Sequence, residues 1–175
     1  MIYAFWVNGF EAIEAITPVD LLRRAGIQIT TVSLEESKYV KSSVGVTYKS
    51  DAMFSDCNFA DLEGVFLAGG PGTKHYLEHE SLLSLISEAN ENKKLISAIC
   101  AAPMVLSILD IDAKMTVYPS MKEEVTNYVD APVVVSGNVI TGEAVSASIQ
   151  FALELIKYIK GDKKAKEIAD SICVR

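Results

Sequence analysis

Short apolar runs alternate with helix-length periodic segments along the whole chain, and no other feature restricts the fold as much. Residues 2–7 and 27–33 predict strands, the second rich in β-branched side chains. Residues 64–68 and 94–99 predict two more. Residues 11–25 predict a helix closed by Gly26, a residue suited to the left-handed C′ position. In that helix Ile13, Ile16 and Leu21 are expected to share a face toward the core. A second helix is expected over 80–92. A third, over 101–109, carries Pro103 in its first turn, where a missing N–H costs nothing. Residues 39–48, with Gly45, predict a hairpin or edge ribbon. Residues 132–135 and 139–141 flank Ser136, Gly137 and Asn138 as the arms of another hairpin. Helices near 146–160 and 162–172 close the chain.

Strand–helix alternation of this kind packs as a mostly parallel sheet with helices on both faces. Parallel strands are buried on both sides, which accounts for uninterrupted apolar stretches such as Val65, Phe66 and Leu67. The expected fold is α/β: a flavodoxin-like three-layer sandwich with a doubly wound, mostly parallel sheet. No linker, repeat or low-complexity segment divides the 175 residues, so a single domain over 1–175 is expected.

Charge and cysteine usage narrow the partners. The formal net charge of −7 lacks the basic footprint that a phosphate backbone or an anionic membrane surface requires. Neither nucleic acid nor membrane is an expected partner. No apolar run approaches a membrane span, and residues 1–7 lack the basic leader and cleavage site of a signal peptide. Cys57, Cys100 and Cys173 are odd in number, widely spaced and without a CxxC pair, which points to a reducing cytoplasm. No metal site is expected: His75 and His79 lie four apart with no third ligand in view. Gly69-Gly70-Pro71-Gly72 has the spacing of neither GxGxxG nor a P-loop, so no nucleotide cofactor is implied.

In an open parallel sheet, ligands bind outside the carboxyl ends of the strands. Three places qualify: the end of the first strand, the turn at 69–72 and the junction at Cys100. Cys100 follows the strand 94–99 and precedes Ala101, Ala102 and Pro103; Ala98 and Ala102, two residues either side of it, are small enough to let a strained strand–turn–helix elbow close. A thiol there would face unpaired N–H groups that favour a thiolate. The competing reading is a small buried hydrophobe. Glu11 is explained as a charge at the positive end of the helix. Glu14, one turn further in, is the better candidate to reach the strand ends, although local sequence alone favours a solvated carboxylate. If the two meet, adjacent anions disfavour each other, and a protonated Glu14 donating to a Cys100 thiolate resolves the conflict. The glycines permit a tight turn or bring a backbone N–H to an oxyanion. His75 follows them closely enough to be a candidate pocket base.

Taken together, Gly9-Phe10-Glu11-Ala12-Ile13-Glu14, Thr17-Pro18-Val19-Asp20, Ala68-Gly69-Gly70-Pro71-Gly72 and Leu95-Ile96-Ser97-Ala98-Ile99-Cys100-Ala101-Ala102-Pro103 resemble the DJ-1/PfpI superfamily. The DJ-1/ThiJ branch is the nearest match, and the resemblance runs through nearly the whole chain. It implies a reactive cysteine at Cys100, a partner carboxylic acid at Glu14, and an oxyanion pocket from the amides of Gly70 and Ala101. It also implies a homodimer through the first helix, cysteine sulfinate formation with roles in oxidative stress, and glyoxalase- or deglycase-like action on reactive carbonyls. Two departures bear on mechanism. The protease branch has His after the nucleophile, where this chain has Ala101. The DJ-1 branch often has His before a proline near the pocket, where this chain has Tyr118 before Pro119. Tyrosine is a poor general base at neutral pH.

The expected function is therefore a cysteine-dependent redox or stress protein acting on an oxidant or a small reactive carbonyl, with no cofactor. Gly69, Tyr118 and His75 are expected to border the pocket. A cysteine peptidase or amidase, and a non-catalytic binding or chaperone-like dimer, are the alternatives.

Overall fold

The computed structural model describes residues 1–174; Arg175, the last residue of the expected domain, lies outside them. The chain begins with β1 (Ile2–Trp6), α1 (Ala12–Arg24) and β2 (Ile29–Ser33), then forms an antiparallel ribbon from β3 (Tyr39–Lys41) and β4 (Thr47–Lys49). There follow β5 (Ala52–Met53), β6 (Gly64–Leu67), α2 (Glu80–Glu91), β7 (Leu95–Ile99) and α3 (Pro103–Ile108). A hairpin of β8 (Val133–Ser136) and β9 (Val139–Gly142), then α4 (Ser148–Lys160) and α5 (Asp162–Ser171), complete the order. Apart from the ribbon, the strands form one sheet in the order β5-β2-β1-β6-β7-β9-β8, parallel except for β8 against β9.

The alternation of β1 shows why both faces are covered. Ile2, Ala4 and Trp6 join one apolar cluster with Ala15 and Leu22 of α1 and Phe151 and Leu155 of α4. Tyr3, Phe5 and Val7 join the other with Leu82 and Ile86 of α2 and Val105 and Leu106 of α3. Successive side chains of a strand point to opposite faces, so a strand apolar at every position needs helices on both sides. This is the flavodoxin-like three-layer sandwich that the sequence predicts. The chain goes from β1 outward to β2 and returns to β6 on the other side, which puts the topological switch between β1 and β6. A crevice is expected at their carboxyl ends. No helix among the described residues is long and apolar enough to cross a membrane.

Several local expectations are corrected. Ile13 does not face the core: it is 52% exposed, while Ile16 is half-buried and Leu21 buried. The inner stripe of α1 is Ala12, Ala15, Val19 and Leu22, at helical spacing, and Ile13 falls outside it. The third helix starts at Pro103 rather than 101, because Ala101 and Ala102 form the turn that leaves Cys100. The two-residue β5 and the 3₁₀ stretches Pro71–Glu78 and Pro119–Glu124 have no periodicity long enough to announce them.

Candidate active site

α1 starts at the carboxyl end of β1, and its first turn is built around two carboxyl groups. Glu11 is the N-cap: its side chain accepts the Glu14 amide at 2.7 Å, and its own N–H donates to the Gly69 carbonyl at 2.9 Å. The second bond ties the helix start to the turn after β6. Glu14 lies wholly inside the protein, at 0% exposure, against the expectation that local sequence favours for it. Pro18, one turn on, removes the amide that would ordinarily bond the Glu14 carbonyl.

Gly69 explains how Glu14 reaches its place. A Cβ on Gly69 would lie 2.5 Å from Glu14 Oε2 and 2.6 Å from Cys100 Cβ, so the missing side chain is the space the two residues share. Gly70 has φ of 101°, and a Cβ there would meet the Glu11 amide nitrogen at 2.5 Å and the Gly9 carbonyl oxygen at 2.6 Å. The turn is held from beneath by Tyr76. Its buried hydroxyl lies 2.8 Å from the Phe5 carbonyl and 3.1 Å from that of Ala68, joining the ends of β1 and β6.

Cys100 directly follows β7 with φ of 62°, a left-handed conformation uncommon outside glycine. Both of its backbone polar groups are engaged. Its N–H donates to Gly142 at 2.9 Å, and its carbonyl accepts the Tyr118 amide at 2.8 Å. The side chain is half-buried, and the amides of Ala101 and Gly70 are directed at the sulfur. Glu14, Gly69, Gly70, Cys100 and Ala101 thus converge. Tyr118, 46% exposed, joins all of them but Gly69 in lining a cavity of about 520 Å³; Gly69, expected at its border, does not line it. His75 does not either: it lines a separate cavity with Asn8 and Glu35, its Nδ1 3.0 Å from Glu78 Oε2. Among the described residues no group of three or more His, Cys, Asp or Glu is gathered to hold a metal ion.

The electrostatics are those of two acids competing for protons. Burial pushes the Glu14 carboxyl up to about 7; the Cys100 thiol draws it back, the charge of Glu11 adds to the rise, and the Gly69 amide opposes it. The thiol and that amide act on Glu14, yet both of its oxygens are buried with no hydrogen-bond partner among the described residues. Burial also pushes the Cys100 thiol up to about 12; the Glu14 carboxylate adds to it, while the amides of Ala101 and Gly70 pull it down. The pair therefore gives up its first proton near pH 7 and holds the second far above neutrality. In the one-proton state these shifts favour the proton on the Cys100 sulfur and the charge on Glu14; only the minor form, with the proton on Glu14, leaves a thiolate facing two amide donors and suited to nucleophilic attack.

The remaining walls come from segments with no sequence signal for a site. Met121 lies in the 3₁₀ turn after Tyr118, and Val145 and Ser146 precede α4. Tyr76 was equally unannounced.

The DJ-1/PfpI family profile matches residues 1–158. The chain is 35% identical to Protein dj-1beta of Drosophila melanogaster, covering 95% of this chain and 92% of that one. It is 28% identical to a Caenorhabditis elegans protein named glutathione-independent glyoxalase DJR-1.2, covering 94% and 90% of the two chains. Oxidized DJ-1 of Toxoplasma gondii superposes with a TM-score of 0.94 at 30% identity, covering 98% and 97%.

Proposed function

Because the chain belongs to the DJ-1/PfpI family, we propose that it is a cysteine-dependent, DJ-1-like protein whose Cys100 thiol serves oxidative-stress chemistry and attacks small reactive carbonyls. The observation that carries this reading is the wholly buried, unpartnered Glu14 carboxyl beside a strained cysteine at which two backbone amides are aimed. A buried carboxyl without a partner is costly, and a proton donor to a reacting centre is the role that accounts for it. The name of the Caenorhabditis elegans relative supports the carbonyl branch.

Both branches use the same atoms. Toward an aldehyde, the Cys100 sulfur forms a C–S bond as the carbonyl π bond breaks. The new oxyanion is held by the Gly70 and Ala101 amides and takes the proton from Glu14. Toward hydrogen peroxide, the sulfur takes one oxygen to give sulfenic acid. Glu14 protonates the departing hydroxide to water, and a second peroxide leads to sulfinate. Ala101 and Tyr118 hold the two positions at which the family resemblance leads one to expect histidine, and among the described residues no histidine lines this cavity, so a peptidase or amidase reading lacks its base. A homodimer through α1, with the exposed Ile13 at its surface, a single domain over 1–175 and a cytoplasmic location complete the reading.

The test is the alkylation rate of each cysteine in the folded protein against pH, read by mass spectrometry. Cys100 should react through the minor form that carries the proton on Glu14, so its rate should rise in a first step near pH 7, where the pair loses its first proton, and Glu14→Gln should abolish that step. Methylglyoxal turnover should vanish in Cys100→Ala. A wild-type Cys100 that stays inert until strongly alkaline pH would remove both branches together.

A further inference from the structure

Tyr76 is the largest wholly buried side chain among the described residues, and its hydroxyl calls for a reason. A phenylalanine ring would fill the same space, and a buried hydroxyl costs free energy unless it is bonded. Its single hydrogen is shared between two carbonyls on different strands, Phe5 at 2.8 Å and Ala68 at 3.1 Å. These lie where the strands part. The pairing of β1 with β6 ends at Phe5 and Leu67, and beyond the gap the Glu11 amide donates to the Gly69 carbonyl.

The Ala68 carbonyl shares its peptide plane with the Gly69 N–H. A trans peptide directs the two groups to opposite sides, so a donor that holds the carbonyl fixes where the amide points. On that opposite side is Glu14. The Gly69 amide acts on its carboxyl and opposes the rise that burial causes, and a Cβ on Gly69 would lie 2.5 Å from its Oε2. A bonded carbonyl also makes its own amide a stronger donor. The next peptide, which carries the Gly70 amide that faces Cys100, is held separately by the Glu11 amide.

We infer that Tyr76 is a positioning residue for the reacting pair: by holding the Ala68 carbonyl it aims the Gly69 amide at Glu14 from the opposite side of one peptide plane. The inference rests on the reading of Cys100 as a nucleophile with Glu14 as its partner acid. Removing the hydroxyl weakens one donor to the Glu14 carboxylate and leaves the amides that face the sulfur in place. Glu14 then holds its proton more tightly, and in the one-proton state the charge moves toward the sulfur.

The test is the Cys100 rate with iodoacetamide against pH, read by mass spectrometry in Tyr76→Phe and in Ser97→Ala. Phenylalanine keeps the ring that fills the space, and with it the fold. Ser97 is the matched control: its buried hydroxyl also donates to a carbonyl, that of Val65 at 2.7 Å, but inside the sheet rather than at its end. In Tyr76→Phe the first step should move upward by about half a pH unit and the plateau above it should rise about threefold. The rate well below the step should stay at its wild-type value, because there Glu14 keeps its proton in both proteins. Ser97→Ala should keep the wild-type profile at every pH. A general loosening of the fold would instead change the Tyr76→Phe rate by one factor throughout. That result, an unmoved step in Tyr76→Phe, or the same displacement in Ser97→Ala overturns the inference and leaves a reactive Cys100 in place. A wild-type Cys100 inert until strongly alkaline pH overturns the nucleophile itself and the inference with it.

Discussion

Two turns leave adjacent parallel strands at the same end of the sheet, and each contains a residue with positive φ. After β6 that residue is Gly70, at 101°; after β7 it is Cys100, at 62°. Any Cβ at Gly70 would strike the backbone of residues 9–11, so glycine there is a steric requirement. At Cys100 glycine would be the easy choice, and the chain carries a side chain there regardless. Phe59, Lys93, Asp110 and Cys173 also have positive φ, so the conformation alone marks nothing. What sets Cys100 apart is that its N–H and carbonyl are both held, by Gly142 and Tyr118, while its side chain opens into a cavity. One turn spends its freedom on close backbone approach, the other on presenting a sulfur atom.

The comparison can be broken at each side. Gly70→Ala should have the largest effect, a loss of about 4 kcal/mol in urea denaturation, because left-handed strain adds to a clash with backbone atoms. A loss below about 1 kcal/mol would mean that the turn can move, and that the contacts at 2.5 and 2.6 Å do not dictate glycine.

Glu14 sits between the two turns and gives the next effect, read as stability against pH. The folded carboxyl keeps its proton up to about 7, whereas the unfolded one releases it near its ordinary 4.5. Between these values the folded state binds more protons, so stability falls as pH rises. The contribution is complete below pH 4.5 and lost above about 7. The change is about 3 kcal/mol at roughly 1.36 kcal/mol per pH unit. Urea midpoints in Glu14→Gln should lack this slope; an unchanged slope would assign it to other groups.

The smallest effect isolates the strain at Cys100. Cys100→Gly should be more stable than Cys100→Ala by about 1 kcal/mol, the reverse of the order these residues show in a helix, because only alanine keeps the left-handed cost. Thermal unfolding of the two variants side by side measures it. Alanine as the more stable would show that the hydrogen bonds to Gly142 and Tyr118 absorb the cost fully.

Much of the frame was legible in the sequence, for a local reason. Strand and helix periods record how backbone hydrogen bonds arrange successive side chains, so β1, β2, β6, β7 and the helices α1, α2, α4 and α5 were expected within a few residues of where they lie. The elbow at Cys100 was legible as a candidate because small residues lie on both sides of a cysteine after an apolar run, a pattern that a buried small hydrophobe fits as well. Ile13 was misread because two side faces of one helix differ by a rotation that only the neighbouring elements fix.

The chain by itself determined the alternating sandwich, the covering of both sheet faces and the candidacy of Cys100. Tertiary structure alone decided that Glu14 is buried, that His75 faces another cavity, and that Met121 and Val145 complete the walls beside Tyr118. The reason lies in the strand order. The burial of Glu14 depends on a side chain missing 55 residues away at Gly69, and the two become neighbours only because β6 lies between β1 and β7. Periodicity describes what lies along one element, and a pocket is made by what lies across several.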